Sequence, residues 1–153
     1  MSMKIGVISD THGLLRPEAI EAMRGVDHIL HAGDVGDAAI LDQLRQLAPL
    51  TAIRGNVDHR GPCARLPEVE LIELNGHSIY MLHDVQALDL DPVAAGIQVV
   101  ISGHSHQPLI EWKKGVLYFN PGSAGPRRFS LPVSVGYLNI RDGRIEPELL
   151  TIG

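Results

Sequence analysis

Residues 4–12 read Lys-Ile-Gly-Val-Ile-Ser-Asp-Thr-His, and this stretch decides the fold. Its first six residues are a short, nearly continuous apolar run, as expected of a strand buried in a parallel sheet. The run ends at Ser9, and Asp10 and His12 follow two positions apart as the chain leaves the strand. The pattern then repeats. Residues 27–32 (DHILHA) predict a second strand that delivers Gly33-Asp34. Residues 51–53 predict a third, delivering Arg54-Gly55-Asn56-Val57-Asp58. Between them lie two helical segments. One opens at Pro17, a residue suited to a first helical position, and ends near Gly25. The other is capped by Asp37, carries Ile40, Leu41, Leu44 and Leu47 on one face, and stops at Pro49.

The second half of the chain changes character. Residues 69–74 and 78–82 flank Asn75-Gly76-His77, and Asn-Gly is a strong hairpin signal. A short helix is expected over 92–95 and a buried strand over 98–102. Two further hairpins are predicted, 109–112 with 116–119 around Lys113-Lys114-Gly115, and 133–140 with 144–152 around Arg141-Asp142-Gly143. Units of βαβα leading into β-rich hairpins predict an α/β fold of two packed mixed β-sheets flanked by helices, a four-layer αββα sandwich. The 153 residues suggest one domain, 1–153.

Composition narrows the function. Aromatics are only 4%, so the core must be aliphatic. A net charge of −5 lacks the basic footprint of non-specific nucleic-acid binding. The single cysteine, Cys63, excludes an intramolecular disulfide and a cysteine-built zinc cluster. No apolar run is long enough for a signal peptide or a membrane span, so the expected location is the cytoplasm, with no membrane partner. The C-terminal hairpins are the part of the chain that could pair between copies, as a homo-oligomer. Eight histidines in so acidic a chain are the unusual feature.

Most of the chemistry follows strands. The strand after the first hairpin ends in His83-Asp84, and the next in Gly103-His104-Ser105-His106. In α/β sheets ligands gather beyond the carboxyl ends of strands. Five strand ends therefore deliver Asp10, His12, Asp34, Asn56, His83, His104 and His106 to one rim, all oxygen or imidazole donors. This set exceeds one tetrahedral zinc and suits two ions sharing a carboxylate, the usual machinery of phosphate-ester hydrolysis. Mixed nitrogen and oxygen ligands favour manganese, iron, zinc or nickel over magnesium or calcium.

The ordered set Asp10-x-His12, Gly33-Asp34, Gly55-Asn56, His83 and Gly103-His104-x-His106 resembles the calcineurin-like metallophosphoesterases. Asn120-Pro121-Gly122-Ser123 with Pro126-Arg127 is similar to the small bacterial and archaeal phosphodiesterase subfamily. The resemblance implies one metal on Asp10, His12, Asp34 and His106, and a second on Asp34, Asn56, His83 and His104, with Asp34 as the bridge. It implies two divalent ions per chain, manganese first and iron, zinc or nickel as alternatives. The implied activity is hydrolysis of a small phosphate ester, a phosphodiesterase reaction in which a metal-bridging hydroxide attacks in line with the leaving group. Asp34, Asn56, His104 and His106 are the implied catalytic set. The alternatives are a phosphomonoesterase or nucleotide or pyrophosphate hydrolase of the same family, or a non-catalytic scaffold like its retromer member.

The sequence departs from the family pattern twice. Val57 stands where many members have a histidine after Gly-Asn, which predicts a preference for good leaving groups such as phenolates. The run His83-Asp84-Val85 replaces a common His-Gly-His. Arg54, Asp58 and Arg127 are the candidate substrate contacts. His31 is expected to be buried and to hold a loop rather than a metal. His28 reads as a strand residue without chemistry, His77 as solvated beside its turn, and Cys63 as incidental. Asn120 to Ser123 is expected to shape the loop behind the site.

Overall fold

The computed structural model describes residues 2–153. The elements run β1 (Ser2–Ile8), α1 (Pro17–Ala22), β2 (His28–His31), α2 (Ala38–Arg45), β3 (Leu50–Ala52), β4 (Val69–Leu74), β5 (His77–Leu82), α3 (Pro92–Ala95), β6 (Val99–Ile101), β7 (Leu109–Lys113), β8 (Val116–Asn120), β9 (Ser134–Arg141) and β10 (Arg144–Thr151). They form two five-stranded mixed sheets, ordered β10-β9-β1-β2-β3 and β4-β5-β6-β8-β7. β1, β2 and β3 are parallel, as are β5, β6 and β8, while β9, β10, β4 and β7 join antiparallel. The parallel strands β5, β6 and β8 are interior to the second sheet, as are β1 and β2 in the first, where β3 forms the edge; the interior apolar runs find cover on both faces.

Side-chain alternation assigns the faces. Ile5 and Val7 of β1 enter the core between the sheets with Leu30, Met81, Ile101, Leu117 and Phe119. Ile8 points the other way, onto Met23, Ile40, Leu41 and Leu44 of the helical layer. Gly6 lies on that outer face too, and a Cβ there would meet Met23 Sδ at 2.5 Å, so the helix packs on bare backbone. Asp37 caps α2 as expected, accepting from the Ala39 amide.

The three hairpins close as the turn chemistry requires. Asn75-Gly76, Lys114-Gly115 and Asp142-Gly143 all have positive φ at both residues, the geometry whose twist matches flanking strands. One expectation is corrected here. His77 is not solvated: it is 7% exposed in β5, with Nδ1 at 3.2 Å from the Asn75 carbonyl and Nε2 at 3.2 Å from that of Gly143. The layer outside the second sheet is thin. Residues 83–98 between β5 and β6 leave room only for a 3₁₀ turn at Val85–Ala87 and the single turn α3. Leu82, Val100 and Val116 are covered there chiefly by loop side chains, Leu88 and Leu90. α1 also stops at Ala22, short of Gly25. No helix among the described residues is long and apolar enough to cross a membrane.

Candidate metal centre

The central strands of both sheets end on the same rim, and their polar residues converge there. Two groups of donors form. Asp10, His12 and His106 bring one ligand atom each within 4.8 Å of one another, and Asp34, His83 and His104 do the same. Asp34 reaches both groups: its Oδ2 lies 3.0 Å from His83 Nε2 and 3.5 Å from His12 Nε2. Asp10 Oδ1 lies 3.4 Å from His106 Nε2, 3.5 Å from His12 Nε2 and 3.7 Å from His83 Nε2.

The backbone is strained to achieve this. Asp10, His12, Asp34, His104 and His106 all have φ between 46° and 69°. A non-glycine residue in the left-handed region costs about 1–2 kcal/mol, and such residues concentrate at functional sites. The other non-glycine residues there are the leading residues of the three hairpin turns and Phe129. Neighbouring backbone makes room. A Cβ on Gly55 would strike Asp34, and one on Gly103 would strike Ser9 and Asp10.

The carboxylates are held from behind. Ser9 Oγ donates to Asp10 Oδ2 at 2.6 Å, and the His104 amide donates to the same oxygen at 3.1 Å. Ser123 Oγ donates to the Asp10 carbonyl, and Asn120 Nδ2 donates to the Gly103 carbonyl at 3.0 Å. Residues 120–123 thus brace the loop behind the centre. The Val57 amide donates to Asp34 Oδ1 at 3.0 Å. His31 is fully buried, receives the Gly33 amide at Nδ1 (3.1 Å) and lies 3.1 Å from Thr11 Oγ1 through Nε2. Thr11 Oγ1 donates its own proton to the Val35 carbonyl, so the imidazole is neutral with its proton on Nε2. His28 bonds Thr51 Oγ1 and Cys63 is buried, both away from this constellation.

Electrostatics follow from this crowding. Burial alone would raise the Asp10 carboxyl, but the His106 and His12 imidazoles beside it, the hydrogen bond from Ser9 and the His83 charge hold it far below the usual carboxylate range. For Asp34 burial is likewise outweighed, by His83 and the Val57 amide, and its carboxyl is lowered. His83 is pushed down by burial and pulled up more strongly by Asp34, Asp10 and the Ala32 carbonyl, a net rise. Burial takes His31 down to about 4.

The donor set fits divalent cations. Asp10 Oδ1, His12 Nε2 and His106 Nδ1 are buried with no hydrogen-bond partner, a costly state for polar atoms. His83 presents Nδ1 to the Ala32 carbonyl at 2.8 Å, the contact a metal-binding histidine makes with its other nitrogen. Its Nε2 then faces Asp34. The Asn56 amide sets its oxygen 3.1 and 3.3 Å from the two Asp34 oxygens and 3.2 Å from His83 Nε2. In that orientation the oxygen faces acceptors, as an amide shared with a cation would; turned over, the amide nitrogen donates to both Asp34 oxygens and to His83 Nε2 instead.

The three candidate substrate contacts fare differently. Arg54 lines a cleft beside Asn56 and His104, but its guanidinium is engaged with the Leu66 carbonyl at 2.7 Å and Glu68 at 2.9 Å. Asp58 does not face open space. It is 2% exposed and accepts the Val35, Gly36 and Gly55 amides, each at 3.0 Å, tying the Asp34 loop to the Asn56 loop. Arg127 is exposed and reaches the Leu131 carbonyl of its own loop. Sequence reasoning missed Ser9 and Asp58 as supports; Ser9 reads in sequence only as the polar end of the β1 run beside Asp10, and Asp58 is revealed by amides brought in from the Asp34 loop.

Residues 3–143 match the model of the calcineurin-like phosphoesterase superfamily domain. A protein of Methanothermobacter thermautotrophicus named "Probable metallophosphoesterase" is 40% identical, over 99% of this chain and 94% of its own. A structure described as a novel archaeal phosphodiesterase superposes with a TM-score of 0.79 at 25% identity, covering 97% of this chain and 100% of that one. Vacuolar protein sorting 29 of Cryptosporidium parvum shares the fold, with a TM-score of 0.77 at 18% identity over 97% of both chains. A rim of carboxylates and imidazoles at the strand ends of a double sheet is thus joined to a match over nearly the whole sequence, and the chain belongs to the calcineurin-like phosphoesterase superfamily.

Proposed function

We propose that residues 1–153 form one domain and a metal-dependent phosphodiesterase whose centre holds two divalent ions. The observation that carries this reading is Asp34, whose carboxylate reaches both donor groups at once. One ion is held by Asp10, His12, Asp34 and His106, and the second by Asp34, Asn56, His83 and His104. Bound together, such ions lower the pKa of a water and neutralise charge on phosphoryl oxygens.

The chain's own residues set the geometry. Asp34 spaces the two positions, and the Val57 amide fixes one of its oxygens. Asn56 holds its side-chain amide within 3.1–3.3 Å of Asp34 and His83. His106 is buried and sits behind the Asp10 carboxylate, whereas His104 is 46% exposed in its side chain and faces the cleft. His104 is therefore the ion-binding imidazole that borders the space where the ester must enter. With Val57 directly after Gly55-Asn56, that position offers no acid to protonate the departing alcohol. Phenolates, which need no proton, should leave fastest. The similarity to an archaeal phosphodiesterase supports the diester preference, and the buried, unpaired Cys63 is in keeping with a reducing cytoplasm.

The test is hydrolysis of bis-p-nitrophenyl phosphate by protein stripped with chelator, with and without added Mn²⁺, beside p-nitrophenyl phosphate as the monoester. Turnover restored by Mn²⁺ and greater on the diester is expected. No turnover with Mn²⁺, Ni²⁺, Zn²⁺ or Fe²⁺ would overturn the reading.

A further inference from the structure

A cleft of about 510 Å³ opens beside the centre, with Asn56, His83 and His104 at its inner end. Its floor is the outer face of the second sheet. Tyr80 and Leu82 of β5 lie there because they alternate with Ile79 and Met81, which enter the inter-sheet core. Val69 of β4 pairs with Leu82 and extends the same apolar strip outward, where it is 44% exposed. The thin outer layer described above leaves Val69 open to solvent and Tyr80 partly so, while Leu82 is 3% exposed.

The rim is predominantly acidic. Glu68, Asp84 and Asp89 line it, against a single cation, Arg54, already committed to Glu68. Asp84 caps the Gln86 amide at 3.0 Å and lies 3.8 Å from His104. Asp89 pairs with no lysine or arginine among the described residues. Its charge is felt by Tyr80, whose hydroxyl is pushed up by burial and then by Asp89. An aromatic and aliphatic floor thus continues from the donor cluster under the Asp84 and Asp89 carboxylates, of which Asp89 faces no lysine or arginine partner among the described residues.

We propose, on the reading that the centre hydrolyses phosphodiesters, that this cleft holds the organic arm of the ester and selects arms without negative charge. The phosphoryl group sits at the ions, so an arm leaving on the Asn56–His104 side must lie along Tyr80, Leu82 and Val69. An aryl or partly apolar alcohol gains there by covering apolar surface. A second anionic group, as in pyrophosphates or nucleoside polyphosphates, faces Asp84 and Asp89 and is repelled.

Two unreactive probes of one shape test this on the Mn²⁺-loaded full chain. They are benzylphosphonate and 4-(phosphonomethyl)benzoate, which adds one carboxylate at the far end. Calorimetry at low salt should show benzylphosphonate binding more tightly by on the order of three- to tenfold, the scale of one charge pair in a wet cleft. The gap should shrink with ionic strength. Asp89→Asn should narrow it, and Asp89→Lys, on an exposed loop, should close or invert it. Equal affinities in the unaltered protein would overturn the proposal, as would a gap unchanged by Asp89→Lys with benzylphosphonate still bound. Failure of both probes to bind would overturn it too. Intact turnover of bis-p-nitrophenyl phosphate would then confine the failure to the arm, and lost turnover would extend it to the parent reading.

Discussion

Acidifying the chelated protein from about pH 8 to about pH 5 should cost it about 2 kcal/mol through His31 alone. The imidazole is fully buried between the loops that carry Asp10 and Asp34, and it is locked as a neutral tautomer. Protonation would place an N–H at Nδ1 against the Gly33 N–H, with no water to share the charge. Its folded pKa falls from 6.5 to about 4, with burial as the largest cause. The sign follows directly. The unfolded chain takes up a proton below its ordinary value while the folded chain does not, so this contribution is whole above 6.5 and is lost as pH falls toward about 4. Integrated down to about pH 5, linkage gives about 2 kcal/mol, or roughly 4–8 °C in melting temperature for a chain of this size. The assay is urea unfolding of the unaltered protein and His31→Asn at both pH values, in excess chelator. Asn keeps an acceptor for the Gly33 amide but does not titrate. The variant should be less stable at high pH and should lose about 2 kcal/mol less on acidification. Parallel pH dependences in the two proteins would refute the reasoning, because other titrating groups cancel in the comparison.

Three other perturbations have defined outcomes. Gly55→Ala drives a Cβ into Asp34; displaced by that contact, the carboxylate should bind less metal by mass spectrometric analysis, and turnover should fall about a hundredfold. Normal metal content in a folded Gly55→Ala protein would contradict the role given to this contact. Asp58→Ala leaves three amides that the carboxylate had joined without their acceptor, and the urea midpoint should drop by the equivalent of about 2–3 kcal/mol; a change below about 0.5 kcal/mol would show that Asp58 is no brace. Val57→His introduces an imidazole after Gly55-Asn56 and should raise turnover of alkyl p-nitrobenzyl diesters relative to aryl ones, by up to about a hundredfold. An unchanged ratio would mean that leaving-group protonation is not what this position limits.

Much of this architecture could be read in advance because its signals are local. The apolar run ending at Ser9 and the Asn75-Gly76 and Asp142-Gly143 pairs each report on a few neighbouring residues, and the strands and turns form where those signals lie. The donors were legible for a related reason: each follows a strand directly, and the parallel strands all end on one rim. What escaped depends on distance along the chain. His77 is buried because Gly143, in the hairpin of the other sheet, closes over it. Asp58 sits among charged and polar loop residues, and only the approach of the Val35 and Gly36 amides reveals it as a brace. The sparse cover over the second sheet reflects how little chain joins β5 to β6, a matter of length against the area to be covered.

The central claim is that one carboxylate, Asp34, joins two ion positions into a single hydrolytic centre. Titrating metal-free protein with Mn²⁺ while recording bound metal and bis-p-nitrophenyl phosphate turnover together tests it most directly. Turnover should rise with occupancy of both positions, saturating at about two ions per chain, and Asp34→Ala should lose both binding and turnover. Full activity at a single bound ion, or turnover surviving in Asp34→Ala, would contradict the account.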